Sequence, residues 1–234
     1  MNILTDSVYS AVNLMFSLDS ELLSIVGVSL SVSCLSTLFA SIIGLPMGIM
    51  IAFSSFRGKR FVITCLNTLL ALPTVVIGLV VYSFISRRGI FGPLELLYTQ
   101  KAIVVGQVIL IVPVVTTLTI AAISRIDKRY RQTALTLGAN HLQMAWVVVK
   151  EARFGIIAAV VAAFGRVIAE VGISMMLGGN AKGFTRTMTT AMALEYDKGH
   201  FVLAVALGVI LMSLAFGINL LFHFFQGKVG SDAL

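Results

Sequence analysis

Five stretches of the chain are almost purely apolar, and polar segments separate them. They run roughly over Leu23–Phe53, Phe61–Ile85, Ala102–Ile123, Phe154–Leu177 and Phe201–Phe225. Each meets the requirement of about 20 apolar residues for a helix that crosses a bilayer. The pattern predicts an all-α polytopic membrane protein with about five transmembrane helices. Gly44, Pro46, Gly48, Pro73, Gly78 and Pro113 fall inside these runs. Spanning helices use such residues for kinks or close packing. Pro73 and Pro113 read equally as hinges beside a pathway or as static kinks.

Two polar segments carry helical signals of their own. In residues 1–21, Leu4, Val8, Ala11, Val12 and Met15 recur at helical spacing, which predicts a short interfacial helix or, alternatively, a frayed terminus. Residues 124–153 form the longest polar insert. Good helix formers run from Tyr130 to Leu137, and Gly138 follows directly, where a left-handed turn would end a helix. Asn140 is placed to cap a second helix whose Leu142, Ala145, Trp146 and Val149 repeat at helical spacing. The result is two short helices joined by an elbow. On spacing alone it is either a docking knob for a soluble partner or an interfacial hairpin. No tandem repeat interrupts residues 1–234, which read as a single domain.

Composition agrees with a lipid environment. The 234 residues are 58% hydrophobic and 12% charged, with a mean hydropathy of +1.01. About a quarter charged residues is usual in a soluble domain. The net charge is +7, but the basic residues lie mostly in the connecting loops, so topology accounts for them better than nucleic acid. Arg57, Lys59 and Arg60 follow the first run, and Arg125, Lys128, Arg129, Arg131, Lys150 and Arg153 lie in the insert. Basic residues of the alternate loops are diluted by Glu95, Glu195 and Asp197. The positive-inside bias puts the N-terminus outside, the C-terminus inside and the 124–153 insert in the cytoplasm.

Little of the remaining chemistry is catalytic. Cys34, Cys65, His141, His200 and His223 have neither metal-ligand nor nucleophile–base spacing, so no metal site is expected. Arg166 and Glu170 interrupt the fourth apolar run at i,i+4 spacing. An ionised residue near the bilayer centre costs about 2.5–3.5 kcal/mol on the gentler scales, so the two are expected to neutralise each other. They serve either packing or an anion path. In the next loop, Gly178, Gly179 and Asn180 precede Lys182, Gly183, Thr185, Arg186, Thr187, Thr189 and Thr190. Open backbone N–H groups, hydroxyls and two cations suit a hydrated oxyanion. An ordinary polar loop has the same composition.

The order Gln132-Thr133-Ala134, three residues, then Gly138-Ala139-Asn140 resembles the EAA coupling loop of ABC importer permeases. That pattern begins Glu-Ala-Ala and ends Ile-x-Leu-Pro. Here Gln132 replaces the acid, and Val148-Val149-Lys150-Glu151 replaces the final element. Leu72 to Leu79, Gly92-Pro93, and Gly165 to Gly172 resemble the oxyanion permeases of that family, and the 178–195 segment is most similar to its tungstate permeases. The resemblance implies a type I importer permease in a bacterial or archaeal cytoplasmic membrane. Its cargo would be tungstate, with molybdate or sulfate as the alternative. Gln132, Thr133, Ala134, Gly138, Ala139 and Asn140 would couple to the ATPase. Arg166, Glu170, Gly178, Gly179, Asn180, Thr185, Arg186 and Thr187 are pathway or gate candidates.

No Gly-x-x-x-x-Gly-Lys-Ser/Thr phosphate loop occurs in the chain. ATP and Mg would therefore be used by separate ATPase subunits, and this chain would bind no cofactor and catalyse nothing. The other expected partners are an extracytoplasmic oxyanion-binding protein and a second copy of the chain, which would bring ten helices around a two-fold axis. Two rival classes remain. A transporter or channel that needs no ATPase would favour an inverted repeat, and none is visible. An intramembrane enzyme would need a nucleophile with a base or a metal cluster, which Cys34, Cys65 and the three His do not offer.

Overall fold

The computed structural model describes Tyr9 and residues 20–230, with side chains up to residue 220. The expected interfacial helix of residues 1–21 lies almost wholly outside the described residues. Ten α-helices are present among those described: α1 (Ser20–Phe53), α2 (Lys59–Leu70), α3 (Thr74–Ile85), α4 (Gln100–Ser124), α5 (Lys128–Thr136), α6 (His141–Glu151), α7 (Arg153–Ile168), α8 (Gly172–Gly178), α9 (Met188–Asp197) and α10 (Phe201–Gly230).

Among the described residues, three helices are long and apolar enough to cross a membrane: α1, α4 and Phe201–Leu220 of α10. The count reaches five if α2 with α3, and α7 with α8, are each one bent span. The second and fourth apolar runs are therefore not continuous helices. In the second, Pro73 has no N–H and disfavours helical backbone at Leu72, so α2 stops and Pro73 becomes the N-cap of α3. In the fourth, α7 stops at Ile168, and the Glu170 carboxylate accepts the Ile173 N–H at 3.1 Å. A side chain there takes the place of a backbone acceptor, and a new helix begins. Pro46 and Pro113, by contrast, lie within unbroken α1 and α4.

The chain divides into two compact units. The first comprises the residues up to Ser36, Pro73–Gln107, and the residues from Gly165 onward. In it α3 packs on α8 and α9 on α10. Gln107 of α4 is 2% exposed; it accepts the Ser36 hydroxyl at 2.8 Å and reaches Ser174 of α8 at 3.4 Å. Three helices are thus tied through one amide in an otherwise apolar interior, where such bonds contribute about 0.6 kcal/mol each on average.

The second unit comprises Thr37–Leu72 and Val108–Phe164. Its α1 and α4 segments touch almost backbone to backbone. A Cβ at Gly44 would lie 2.9 Å from the Val115 Cβ, and one at Gly48 2.7 Å from the Thr119 Cβ. Two glycines four residues apart make a smooth helix face, the usual route to close packing where lipid removes the hydrophobic drive. The α1 terminus is closed by Lys59, whose ammonium donates to the Ala52 and Ser54 carbonyls at 3.0 Å each.

Candidate functional site

Local chemistry builds the elbow. Asp127 starts α5 by accepting the Arg129 N–H at 2.9 Å. The helix ends with the Gly138 N–H on the Leu135 carbonyl and the Ala139 N–H on the Ala134 carbonyl, both at 3.0 Å. This paired closure requires a left-handed residue between the two bonds, and Gly138 supplies it with φ 83°. Asn140 then accepts the Gln143 N–H at 2.8 Å, while the Gln143 side chain accepts the Asn140 N–H at 2.9 Å. Such a reciprocal cap fixes where α6 begins.

One face of the elbow is anchored. Ala134, Met144, Val148 and Ala152 are buried with Ile123, and Ala139 packs against them. The Arg131 guanidinium lies 5.1 Å above the Phe53 ring. Tyr130 meets Glu151, whose negative charge and hydrogen bond raise the phenol above its ordinary 10.0.

The other face is bare. Leu137 is 81%, Leu142 82% and Trp146 71% exposed. The stripe read from spacing, Leu142, Ala145, Trp146 and Val149, is thus not the side of α6 buried deepest; Met144 and Val148 are. Gln132, Thr133, Gly138 and Asn140 are also exposed, whereas Ala134 and Ala139 anchor the fold. Beside them Ala52, Ile123, Lys128, Arg131 and Gln132 line a cleft of about 390 Å³.

The other candidates all belong to the first unit. Arg166 and Glu170 do not pair. Arg166 is exposed and Glu170 is 93% buried, and no ion pair joins them. Spacing of i,i+4 brings side chains together only within one helix, and α7 ends between these two. Glu170 instead caps α8, and its carbonyl accepts the Thr189 hydroxyl at 2.8 Å.

The hydroxyls of the 178–190 loop are occupied locally. Thr185 is fully buried; it donates to the Gly178 carbonyl at 2.6 Å and accepts the Ala181 N–H at 3.0 Å. Thr187 and Thr190 cap α9 reciprocally, with the Thr187 N–H on the Thr190 hydroxyl at 2.9 Å. Gly179 and Asn180 turn through φ 66° and 52°. Arg186 stands 3.4 Å from Glu21 and 3.5 Å from the Asn180 carbonyl, and its Nε is buried without a partner. Lys182 pairs with Glu21 at 2.8 Å. Both cations of the loop are thus shared with one carboxylate, Glu21, and its hydroxyls are spent on the fold.

Sequence reasoning missed Gln107, although a lone amide in an apolar run is a visible signal. It also passed over Tyr82 and Tyr98, whose association depends on the fold.

Residues 44–231 match the family described as "Binding-protein-dependent transport system inner membrane component". The chain belongs to that family. This inner membrane component is 40% identical over 205 residues to a "Probable anion ABC transporter permease protein" of Haloferax volcanii, covering 86% of this chain and 88% of the relative. It is 34% identical over 226 residues to the "Tungstate uptake system permease protein TupB" of Peptoclostridium acidaminophilum, covering 97% and 99%. The "Molybdenum transport system permease protein ModB" of Escherichia coli K12 is 30% identical over 176 residues, covering 70% and 75%. The fold is that of the MetNI methionine ABC transporter in inward-facing crystals, with TM-score 0.74 at 19% identity, covering 89% of this chain and 96% of that one. The expected all-α fold of a type I importer permease therefore stands.

Proposed function

We propose that this chain is the permease subunit of an ATP-driven importer whose cargo is a tetrahedral oxyanion, tungstate foremost. Residues 1–234 act as one permease domain. Two copies form the path. Separate ATPase subunits, which consume ATP and Mg, dock on the elbow from the cytoplasm, and an extracytoplasmic binding protein delivers the ion. The N-terminus lies outside and the C-terminus inside. ATPase closure moves the elbows and turns the cavity outward, and hydrolysis resets it.

One observation carries this reading. The elbow presents Leu137, Leu142 and Trp146 on a rigid, fully capped turn outside the candidate spans. Large apolar side chains left uncovered on such a turn support a protein interface there. Gln132 supplies amide hydrogen bonds where a carboxylate would supply charge, so the docking contact there is polar, not ionic. The near-complete overlap with a tungstate permease supports that cargo. Molybdate is the second reading, supported by the shorter match to a molybdenum permease.

The test is to purify the chain with its ATPase and binding protein. ATPase activity is then measured with tungstate, molybdate, sulfate and phosphate. Tungstate should stimulate most. Gly138→Trp should keep the dimer assembled, because nothing lies within 4 Å of a Cβ there and the left-handed backbone costs only about 1–2 kcal/mol. It should abolish anion-stimulated hydrolysis. Normal stimulation in that variant would refute the docking assignment.

A further inference from the structure

A cleft of about 640 Å³ opens in the first unit where α3 ends and the chain turns toward α4. Tyr82, Arg87, Arg88, Glu95 and Tyr98 line it. None of these side chains belongs to the elbow or to the 178–190 loop. The cleft precedes α4 in the chain and the elbow follows it, so a candidate span of 25 residues separates them.

The cleft is rigidly built. Glu95 and Tyr98 adopt φ 46° and 62°, which side-chain-bearing residues rarely do. Tyr98 is held there by its N–H on the Leu177 carbonyl at 2.8 Å. Its ring lies against Gly179, where a Cβ would come within 2.6 Å of Cδ1. Backbone strain of this kind persists only where the surroundings impose it, and it concentrates at functional sites.

The lining is rich in donors. Tyr82 and Tyr98 line the cleft together, and the neighbouring Tyr82 hydroxyl raises the Tyr98 phenol above its ordinary 10.0. Arg87 and Arg88 are adjacent, permanently charged, and without an ion-pair partner among the described residues. Among the described residues that line the cleft, Glu95 is the one carboxylate. Two guanidiniums and a phenol pair match a doubly charged acceptor that offers several oxygens. The volume leaves room for its water, and Glu95 keeps the hold weak, as a transport site requires.

We propose that this cleft transiently binds a free divalent tetrahedral oxyanion, held by Arg87, Arg88 and the Tyr82–Tyr98 pair before the ion enters the path. The proposal rests on the oxyanion-import reading above.

The full chain is placed in nanodiscs of uncharged lipid and dialysed against sodium tungstate, and bound tungsten is counted by elemental mass spectrometry. Arg87→Gln combined with Arg88→Gln should weaken binding by about tenfold or more, the value of lost charged hydrogen bonds. Glu95→Gln should tighten it several-fold. A folding defect lowers binding in both variants, so opposite shifts are diagnostic. Unsaturable binding by the wild type, equal affinity in the arginine variant, or weaker binding in Glu95→Gln overturns the proposal. So does phosphatidylglycerol that co-purifies with the wild type, is lost in the arginine variant and is not displaced by tungstate, since the ligand is then a lipid headgroup. Equal affinity in the arginine variant would leave the import reading standing; loss of oxyanion-stimulated ATPase in the wild-type complex would remove that reading itself.

Discussion

Trp146 and Met144 lie two residues apart on α6 and should fail in opposite ways. Met144 is 7% exposed and packs with Ile123, Ala134, Val148 and Ala152, whereas Trp146 is 71% exposed. Truncating buried Met144 to Ala loses transfer energy and leaves a cavity, about 2–5 kcal/mol in all. Truncating Trp146 removes little that the free chain buries, and Ala is the better helix former, so the change in its stability should stay within about 0.5 kcal/mol. At an interface, a central Trp contributes about 2 kcal/mol or more, equivalent to roughly a 30-fold loss of affinity. Thermal unfolding of each variant in detergent, with titration of the ATPase subunit onto it, separates the two. Trp146→Ala should melt with the wild type and bind the ATPase weakly. Met144→Ala should melt early. If Trp146→Ala bound the ATPase within twofold of the wild type, the bare face would not be the docking surface. If it melted as early as Met144→Ala, the division of α6 into anchored and free faces would be wrong.

Other substitutions probe the frame. Gly48→Val should destabilise the second unit by about 1–3 kcal/mol through overpacking against Thr119, measured by thermal melting, while Gly217→Val, with open space around it, should not. Gln107→Leu should cost about 1 kcal/mol by releasing Ser36 and Ser174; an unchanged melting temperature would show that the amide does not tie the helices. Lys198 first, and then His200, hydrogen-bond Glu195 and hold its carboxyl below the ordinary 4.5. That contribution is complete above the ordinary value and is lost as pH falls through the lowered one. Glu195→Gln should therefore flatten the acid limb of the melting curve against pH, and an identical limb would contradict the pairing.

The elbow was legible because every signal in it is local. Gly138 ends a helix and Asn140 begins one within three residues, and short-range hydrogen bonds determine both. The second break was half legible, since Pro73 interrupts any helix, yet an apolar run across it still reads as one span. The fourth was misread. Pairing Arg166 with Glu170 assumed a continuous helix, but α7 ends at Ile168 and the Glu170 carboxylate accepts the Ile173 N–H at the start of α8 instead. The hydroxyls of Thr185 and Thr187 have the right chemistry for an anion, but their partners are chosen by how the loop folds on itself.

By itself the sequence determined the class of the protein: apolar runs long enough for lipid, a basic insert between two of them, and the turn and cap that shape it. These are properties of composition and of neighbours a few residues apart. Tertiary contacts set which face of α6 stays bare, how Gln107 joins residues 71 and 67 positions away, and that Tyr98, fastened to Leu177, shares one cleft with Tyr82, Arg87 and Arg88. Those outcomes depend on contacts between distant segments, whose energies no local pattern records.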